Sequence, residues 1–190
     1  MTLLELVTKT RSCRRFYEKE QISLDQLRSL VDLARLAPSE GNLQPLKYII
    51  SHNPGKNSGI FSCLGWAGYL TDWPGPVEGE RPAGYIIILG DTTLTRDFAC
   101  EYGTAAQSIV LGATEMGFGA CMIGNIDKNR LGALLRIPPR YDALLVIALG
   151  RPKEEIVLED VKDGSIKYWR DEKQVHHVPK RPLSELIFEP

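Results

Sequence analysis

The octet "ALLVIALG", residues 143–150, carries no polar side chain on either face of a pleat. As a strand it has no side to show to water, so it must lie inside a sheet that is covered on both faces. The isoleucine-rich "YIIILG", residues 85–90, and residues 47–51 are further strands, each bounded by turn residues. The covering layers have to come from helices. Residues 3–9 read as a short one. A second begins at an N-cap serine, Ser23, with Gln26 three residues on, followed by Leu24, Leu27, Leu30, Val31 and Ala34 at helical spacing, and it ends before Pro38. The longest is predicted from about residue 97 to 116. Tyr102, Ala105, Ala106, Ile109, Val110 and Ala113 form one stripe, thinned by Gly103 and Gly112, which suits the centre of a core or a subunit interface. Gly117 and Gly119 end it, and residues 120–123 form a short strand. Helices and strands interleave without a strict βαβ repeat. The expected class is therefore α+β or a mixed α/β sandwich with one central sheet, as a single domain over residues 1–190 that buries about 70% of its unfolded surface.

The charge balance narrows the function. With 23 Lys and Arg against 24 Asp and Glu, the net charge is −1, which gives no global attraction to nucleic acid or to an anionic membrane. Any anion site must be built locally. Cys13, Cys63, Cys100 and Cys121 form no CxxC pair and lie far from His52, His176 and His177, so no zinc spacing is present, and a disulfide framework is not expected in a chain this long. Most of the cysteines are expected to be small buried hydrophobes. "MTLLELVTKTRSCRRF" does not read as a signal peptide, and the apolar runs are too short to span a bilayer, so the expected location is the reducing cytoplasm.

Four stretches can carry chemistry. "RSCRRF", residues 11–16, sets three arginines and a serine directly after a helix; guanidinium forks suit phosphate, and a solvated basic turn is the plain alternative. "PKR", residues 179–181, is a second basic cluster with the same two readings. "LAPSEGNLQPLKYII", residues 36–50, spends Pro38, Ser39, Gly41, Asn42, Gln44 and Pro45 on one connection, as a turn would and as a preformed polar wall for a flat ligand would. "GFGACMIG", residues 117–124, is spaced G-x-G-x4-G after a helix, which is not the dinucleotide fingerprint. The turn-rich residues 71–84 make a long functional-loop candidate. His176 and His177 are expected in an exposed charged segment. No nucleophile and base, and no carboxylate pair, stand at catalytic spacing, which leaves reactivity to a cofactor.

Taken in order, R-S-x-R-x-F, A-P-S-x-x-N-x-Q-P, a small-residue helix leading to G-x-G-x-C-x-I-G, and a basic pair ahead of P-L resemble the nitroreductase family of FMN-dependent oxidoreductases, from Arg11 to about Ile187. The resemblance implies an α/β/α sandwich with a central mixed sheet flanked by helices, and a homodimer with intertwined termini and FMN at the subunit interface. It assigns Arg11, Ser12 and Arg14 to the FMN phosphate and ribityl chain. Pro38, Ser39, Asn42 and Gln44 would reach the flavin from the other subunit. Gly119, Ala120, Cys121 and Gly124 would lie against its ring, and Lys180 and Arg181 beside the phosphate. Trp66, Tyr69 and Trp73 are expected at the substrate wall or in the core. Glu40 stands where many relatives have a second serine, Leu46 where tryptophan is frequent, and the basic pair is contiguous where relatives often separate it.

The implied reaction passes hydride from NADH or NADPH through flavin N5 to a nitroaromatic, quinone or similar small acceptor by a ping-pong mechanism, with no catalytic side chain, no metal, no nucleic acid and no membrane. The alternatives are another flavin reaction on the same fold (dehalogenation, enoate reduction or flavin breakdown) or a non-enzymatic anion-binding module.

Overall fold

A computed structural model describes residues 1–189. In chain order it contains α1 (Leu3–Lys9), α2 (Leu24–Arg35), β1 (Leu46–Ser51), α3 (Pro54–Phe61), β2 (Gly84–Asp91), α4 (Glu101–Glu115), β3 (Gly119–Ile123), α5 (Lys128–Leu135), β4 (Tyr141–Gly150), β5 (Ile156–Asp160), β6 (Trp169–Arg170) and β7 (His176–Lys180). The main sheet has the order β1-β2-β4-β3. Its named strands pair antiparallel, and the parallel component of a mixed sheet enters at the edge, where Ser12 bridges Ala120. A smaller sheet, β5-β7-β6, joins β5 to β7 in parallel and β6 to β7 antiparallel.

The two apolar strands lie side by side at the centre, as their lack of a polar face requires. Their alternation divides the core in two. Ile86, Ile88, Ile147 and Leu149 pack with Leu27 and Leu30 of α2 and Ala106 and Ile109 of α4. Tyr85, Ile87, Val146 and Ala148 pack on the other face with Ile60 of α3 and Leu131 of α5. A register shift after Ile88 leaves Leu144 as the extra residue of a bulge.

Local sequence accounts for the ends of the elements. Ser23 and Gln26 close a reciprocal capping box on α2, as the spacing predicts, and Thr2 with Glu5 does the same for α1. α4 starts at Glu101 rather than near residue 97, because the Asp97 carboxylate accepts from the Ala99 N–H in a turn where Ala99 has φ 29°. α3 and α5 are unforeseen: both have eight residues, and they contain Gly55, Gly59 and Gly132, which blur the apolar period. Cys13, Cys63 and Cys121 are buried as expected, whereas Cys100 is exposed. His176 reverses its expectation. It opens β7 at 1% exposure, because that strand is covered rather than solvated.

α2 and α4 meet over Gly112, where an added Cβ would stand 2.2 Å from Leu33 Cδ1. Gly132 of α5 has open space around its Cα. Urea unfolding is therefore expected to show Gly112→Val destabilised by about 1–3 kcal/mol from overpacking. Gly132→Ala is expected to be stabilised by roughly 0.5–1 kcal/mol through helix propensity.

Candidate functional site

The segment carrying the arginines is an extended strip laid on the edge of the main sheet. The Cys13 N–H donates to the Ala120 carbonyl at 2.8 Å, and further along the Phe16 N–H donates to the Glu80 carbonyl at 3.0 Å. Gly119 and Gly150, paired in register across β3 and β4, make room for it. A Cβ on Gly119 would lie 2.8 Å from the Cys13 side chain, and one on Gly150 would lie 3.0 Å from the Phe16 ring. An extended strip alternates its side chains. Cys13 is buried and Arg15 binds Glu80, while Ser12 and Arg14 line a cavity of about 320 Å³.

That cavity also receives Arg11, Ala120, Met122 and, from the C-terminal region, Tyr168, His176 and Lys180. Arg14 lies over the Tyr168 ring, 4.7 Å from its centroid, and its Nη1 donates to the Ser12 carbonyl and to His176 Nε2 at 3.2 Å. Arginine can only donate, so His176 Nε2 accepts and its proton sits on Nδ1. Nδ1 is buried and has no partner among the described residues. Burial, reinforced by Arg14 and Arg170, pushes the imidazole down to about 4, so it is neutral near pH 7. The Arg11 guanidinium turns back to the Val7 and Thr10 carbonyls at the end of α1, and burial lowers its pKa. Among the described residues, Arg11, Arg14 and Lys180 form no ion pair with a carboxylate. Three cations around one cavity without a carboxylate partner among the described residues, in a chain of net charge −1, make it a candidate anion site.

Nearby acids are used elsewhere. The fully buried Glu154 side chain accepts from the Arg14 backbone N–H and, at 2.8 Å, from Arg170, whose guanidinium covers the Trp73 ring at 4.3 Å. Trp73 is thereby committed to Arg170. Trp66 packs on Phe61 at the second core, and Tyr69 reaches the cavity only through Tyr168, at 5.0 Å between ring centroids. Cys121 points into the core on the opposite face of β3, Gly124 is exposed, and Arg181 is engaged by Glu185 at 2.9 Å.

The connection over residues 38–44 lies elsewhere. Pro38, Ser39 and Gln44 line a separate cavity of about 200 Å³ with Tyr48, Glu101 and Ala105. Burial, with Glu101 nearby, pushes the Tyr48 phenol up to about 12. Gly41, Asn42 and Gln44 have φ of 57°, 55° and 51°, and for the two non-glycine residues this stores roughly 1 kcal/mol each. The cavity of the arginines touches α4 at Gln107 and Val110, and this one touches it at Glu101 and Ala105. Nine residues are about 2.5 helical turns, so the two sites lie on opposite faces of α4. One chain does not bring the two motifs together.

Sequence reasoning missed Tyr168, His176, Glu154 and Glu101. For His176 a signal existed: His176, Val178 and Lys180 are spaced two apart on β7 and all line the cavity.

A family model described as "Nitroreductase family" matches residues 7–58 and 79–151. The chain is 25% identical over 154 residues to an Archaeoglobus fulgidus protein provisionally named NADH dehydrogenase/NAD(P)H nitroreductase, an alignment covering 77% of this chain and 83% of that one. The fold matches an FMN-dependent nitroreductase from Clostridium difficile R20291 at TM-score 0.66 and 23% identity, over 80% of this chain and 89% of that one. It also matches a nitroreductase family protein from Streptococcus pneumoniae TIGR4 at TM-score 0.69 and 18% identity, over the full length of both.

Glu80 anchors the arginine strip through Arg15, at 2.7 Å, and Lys153, at 3.0 Å. The bond to Arg15 is the main cause that holds its carboxyl at about 2, below the ordinary 4.5. A depressed folded-state pKa stabilises above the unfolded value, and that contribution is lost as pH falls through the folded one. Glu80→Gln should therefore lose about 1–3 kcal/mol at pH 7. In thermal or urea unfolding, its difference from the parent protein should shrink between pH 4.5 and about 2.

Proposed function

Because the chain belongs to the nitroreductase family, we propose that it is an FMN-dependent oxidoreductase. In this reading it takes electrons from NADH or NADPH and delivers them to a nitroaromatic, quinone or similar small acceptor by a ping-pong mechanism. The observation that carries the reading is the cavity of about 320 Å³ ringed by Arg11, Arg14 and Lys180, which have no carboxylate partner among the described residues. Such a ring fits the phosphate of FMN, and the unpartnered N–H of His176 fits a further oxygen acceptor. When bound, the flavin supplies the two-electron redox chemistry that no side chain of the site offers.

In this reading Arg14 binds the phosphate, held in place by the Tyr168 ring and by the neutral His176 imidazole. Lys180 adds a second charge, Arg11 a third, and the Ser12 hydroxyl a hydrogen bond. Ala120 and Met122 give an apolar floor on the outer face of β3 for a flat ring. Gly119 serves the packing of Cys13, and Cys121 serves the core beneath. The wall made by residues 38–44 comes from a second copy of the chain, in a homodimer. The arrangement of the two cavities on α4 supports this, and so do the apolar surfaces left open on α1 (Leu3, Leu4, Val7) and on the tail (Leu183, Leu186, Ile187, Phe188). Four unpaired thiols suit the reducing cytoplasm.

FMN added at 100 times its Kd should raise the unfolding free energy by about 2.7 kcal/mol. Titrations of flavin-stripped protein should show Arg14→Ala weakened about 10–100-fold and Lys180→Ala about tenfold. Arg181→Ala, already satisfied by Glu185, should stay within about twofold. A protein that gains neither flavin absorption nor thermal stability with excess FMN sinks the proposal. One that binds FMN yet oxidises neither NADH nor NADPH with any quinone or nitro acceptor has another flavin reaction.

A further inference from the structure

Glu101 is a carboxylate at 8% exposure with no cation in salt-bridge contact among the described residues. A buried charge of that kind is costly unless hydrogen bonds compensate it. The first turn of α4 offers a favourable end of the helix dipole, and all the donors come from the loop over residues 38–44. Glu101 Oε1 accepts from the Ser39 hydroxyl at 3.1 Å and from the Glu40 backbone N–H at 2.7 Å. The Ser39 oxygen in turn accepts from the Gln44 N–H at 2.9 Å. One carboxylate oxygen thus holds the start of the turn, and the Ser39 oxygen carries the tie to its end, around Asn42 and Gln44, which hold left-handed dihedrals although neither is glycine. Strained backbone of this kind persists only where its surroundings over-determine it. Gln44 Nε2 then clips to the Asn42 carbonyl and side-chain oxygen at 3.2 and 3.1 Å, at the exposed tip.

We propose that Glu101 is a positioning residue whose carboxylate holds the Ser39–Gln44 turn in the strained shape that presents Asn42 to the cofactor. This rests on the reading that the turn meets FMN held mainly by the partner subunit. Ser39 acts as a relay from Glu101 to the Gln44 N–H, with its one hydroxyl donor used inside the turn. The assignment also accounts for position 40. What the turn uses there is the backbone N–H, which glutamate supplies as well as serine does.

The test is FMN titration of flavin-stripped full-length protein by fluorescence, paired with melting temperatures taken without FMN. Glu101→Ala should weaken FMN about tenfold, whereas Glu101→Gln, which keeps the oxygen acceptor, should stay within about threefold. Ser39→Ala combined with Glu101→Ala should be no more than about twofold weaker than Glu101→Ala alone, because the two act in series. The flavin-free melting temperature of Glu101→Ala should change by no more than about 3 °C. Wild-type affinity in Glu101→Ala, or a melting loss that accounts for its weakened binding, overturns the proposal. If Glu101→Ala fails to fold, Glu101→Asp, one methylene short of both donors, should bind FMN about fivefold more weakly, and wild-type affinity there overturns it equally. Asn42→Ala separates the two levels. If Asn42→Ala weakens FMN and Glu101→Ala does not, only the role of Glu101 falls; if neither does, the reading that the turn meets the cofactor falls with it.

Discussion

The hydrogen bond from the Cys13 N–H to the Ala120 carbonyl is the contact on which the site depends. Residues 11–16 have no regular structure of their own, and their attachment to the edge of β3, completed by Glu80 and Glu154, gives them an orientation. The attachment needs close approach, and the glycine pair at positions 119 and 150 allows it by leaving space for Cys13 and Phe16. Once the strip is seated, alternation does the rest. Cys13 becomes core, Arg15 goes to Glu80, and Ser12 and Arg14 face the cavity; Phe16, where the strip leaves β3 for Glu80 and Pro152, breaks the alternation and is buried over Gly150. A side chain at Gly119 would lift the strip and turn a defined arginine pair into the solvated basic turn that the sequence also allowed.

An anion site in a nearly neutral chain requires its acids to be engaged elsewhere, and the structure shows where they go. Glu80 is taken by Arg15 and Lys153, and Glu154 by Arg170 and the Arg14 backbone N–H. Glu154 is the instructive one, because it fixes the main chain of Arg14 without touching its guanidinium. The guanidinium contacts a neutral imidazole and an aromatic face instead, neither of which cancels its charge. Burial keeps His176 uncharged, and so keeps a fourth cation out of a space that already holds three.

The legible parts of the molecule were those in which local chemistry and burial agree. The apolar octet of β4, the capping box at Ser23 and the stripe of α4 all appear where their patterns put them. The cationic strip was legible as a motif, although the alternation that sends Arg15 away from Arg14 becomes visible only once the strip is known to be extended. Three kinds of feature were hidden. α3 and α5 are short and carry glycines, so their stability comes from packing that no local pattern records. His176 and Glu101 are polar residues buried by contacts more than 60 positions away in sequence, with Arg14 and Ser39 respectively. Tyr168 lies in a charged stretch of weak periodicity, and its place over Arg14 follows from the second sheet, whose β5–β7 pairing is parallel and non-local.

α4 joins these arguments. Its buried stripe packs on the sheet, while its flanks carry the arginine cavity at Gln107 and Val110 and the strained turn at Glu101 and Ala105. Two surfaces on opposite flanks of a rigid helix cannot converge within one chain without breaking that helix. A ligand needing both must bridge two copies, and its binding and their association are then linked. Whatever tightens the grip on the ligand strengthens the pairing by the same free energy, and the reverse holds equally. In the proposed homodimer, the exposed leucines of α1 and the apolar tail are the surfaces open to such pairing. In the proposed reading the strain held in the Ser39–Gln44 turn has its use there, because a wall already bent to shape loses less conformational entropy when the ligand reaches it.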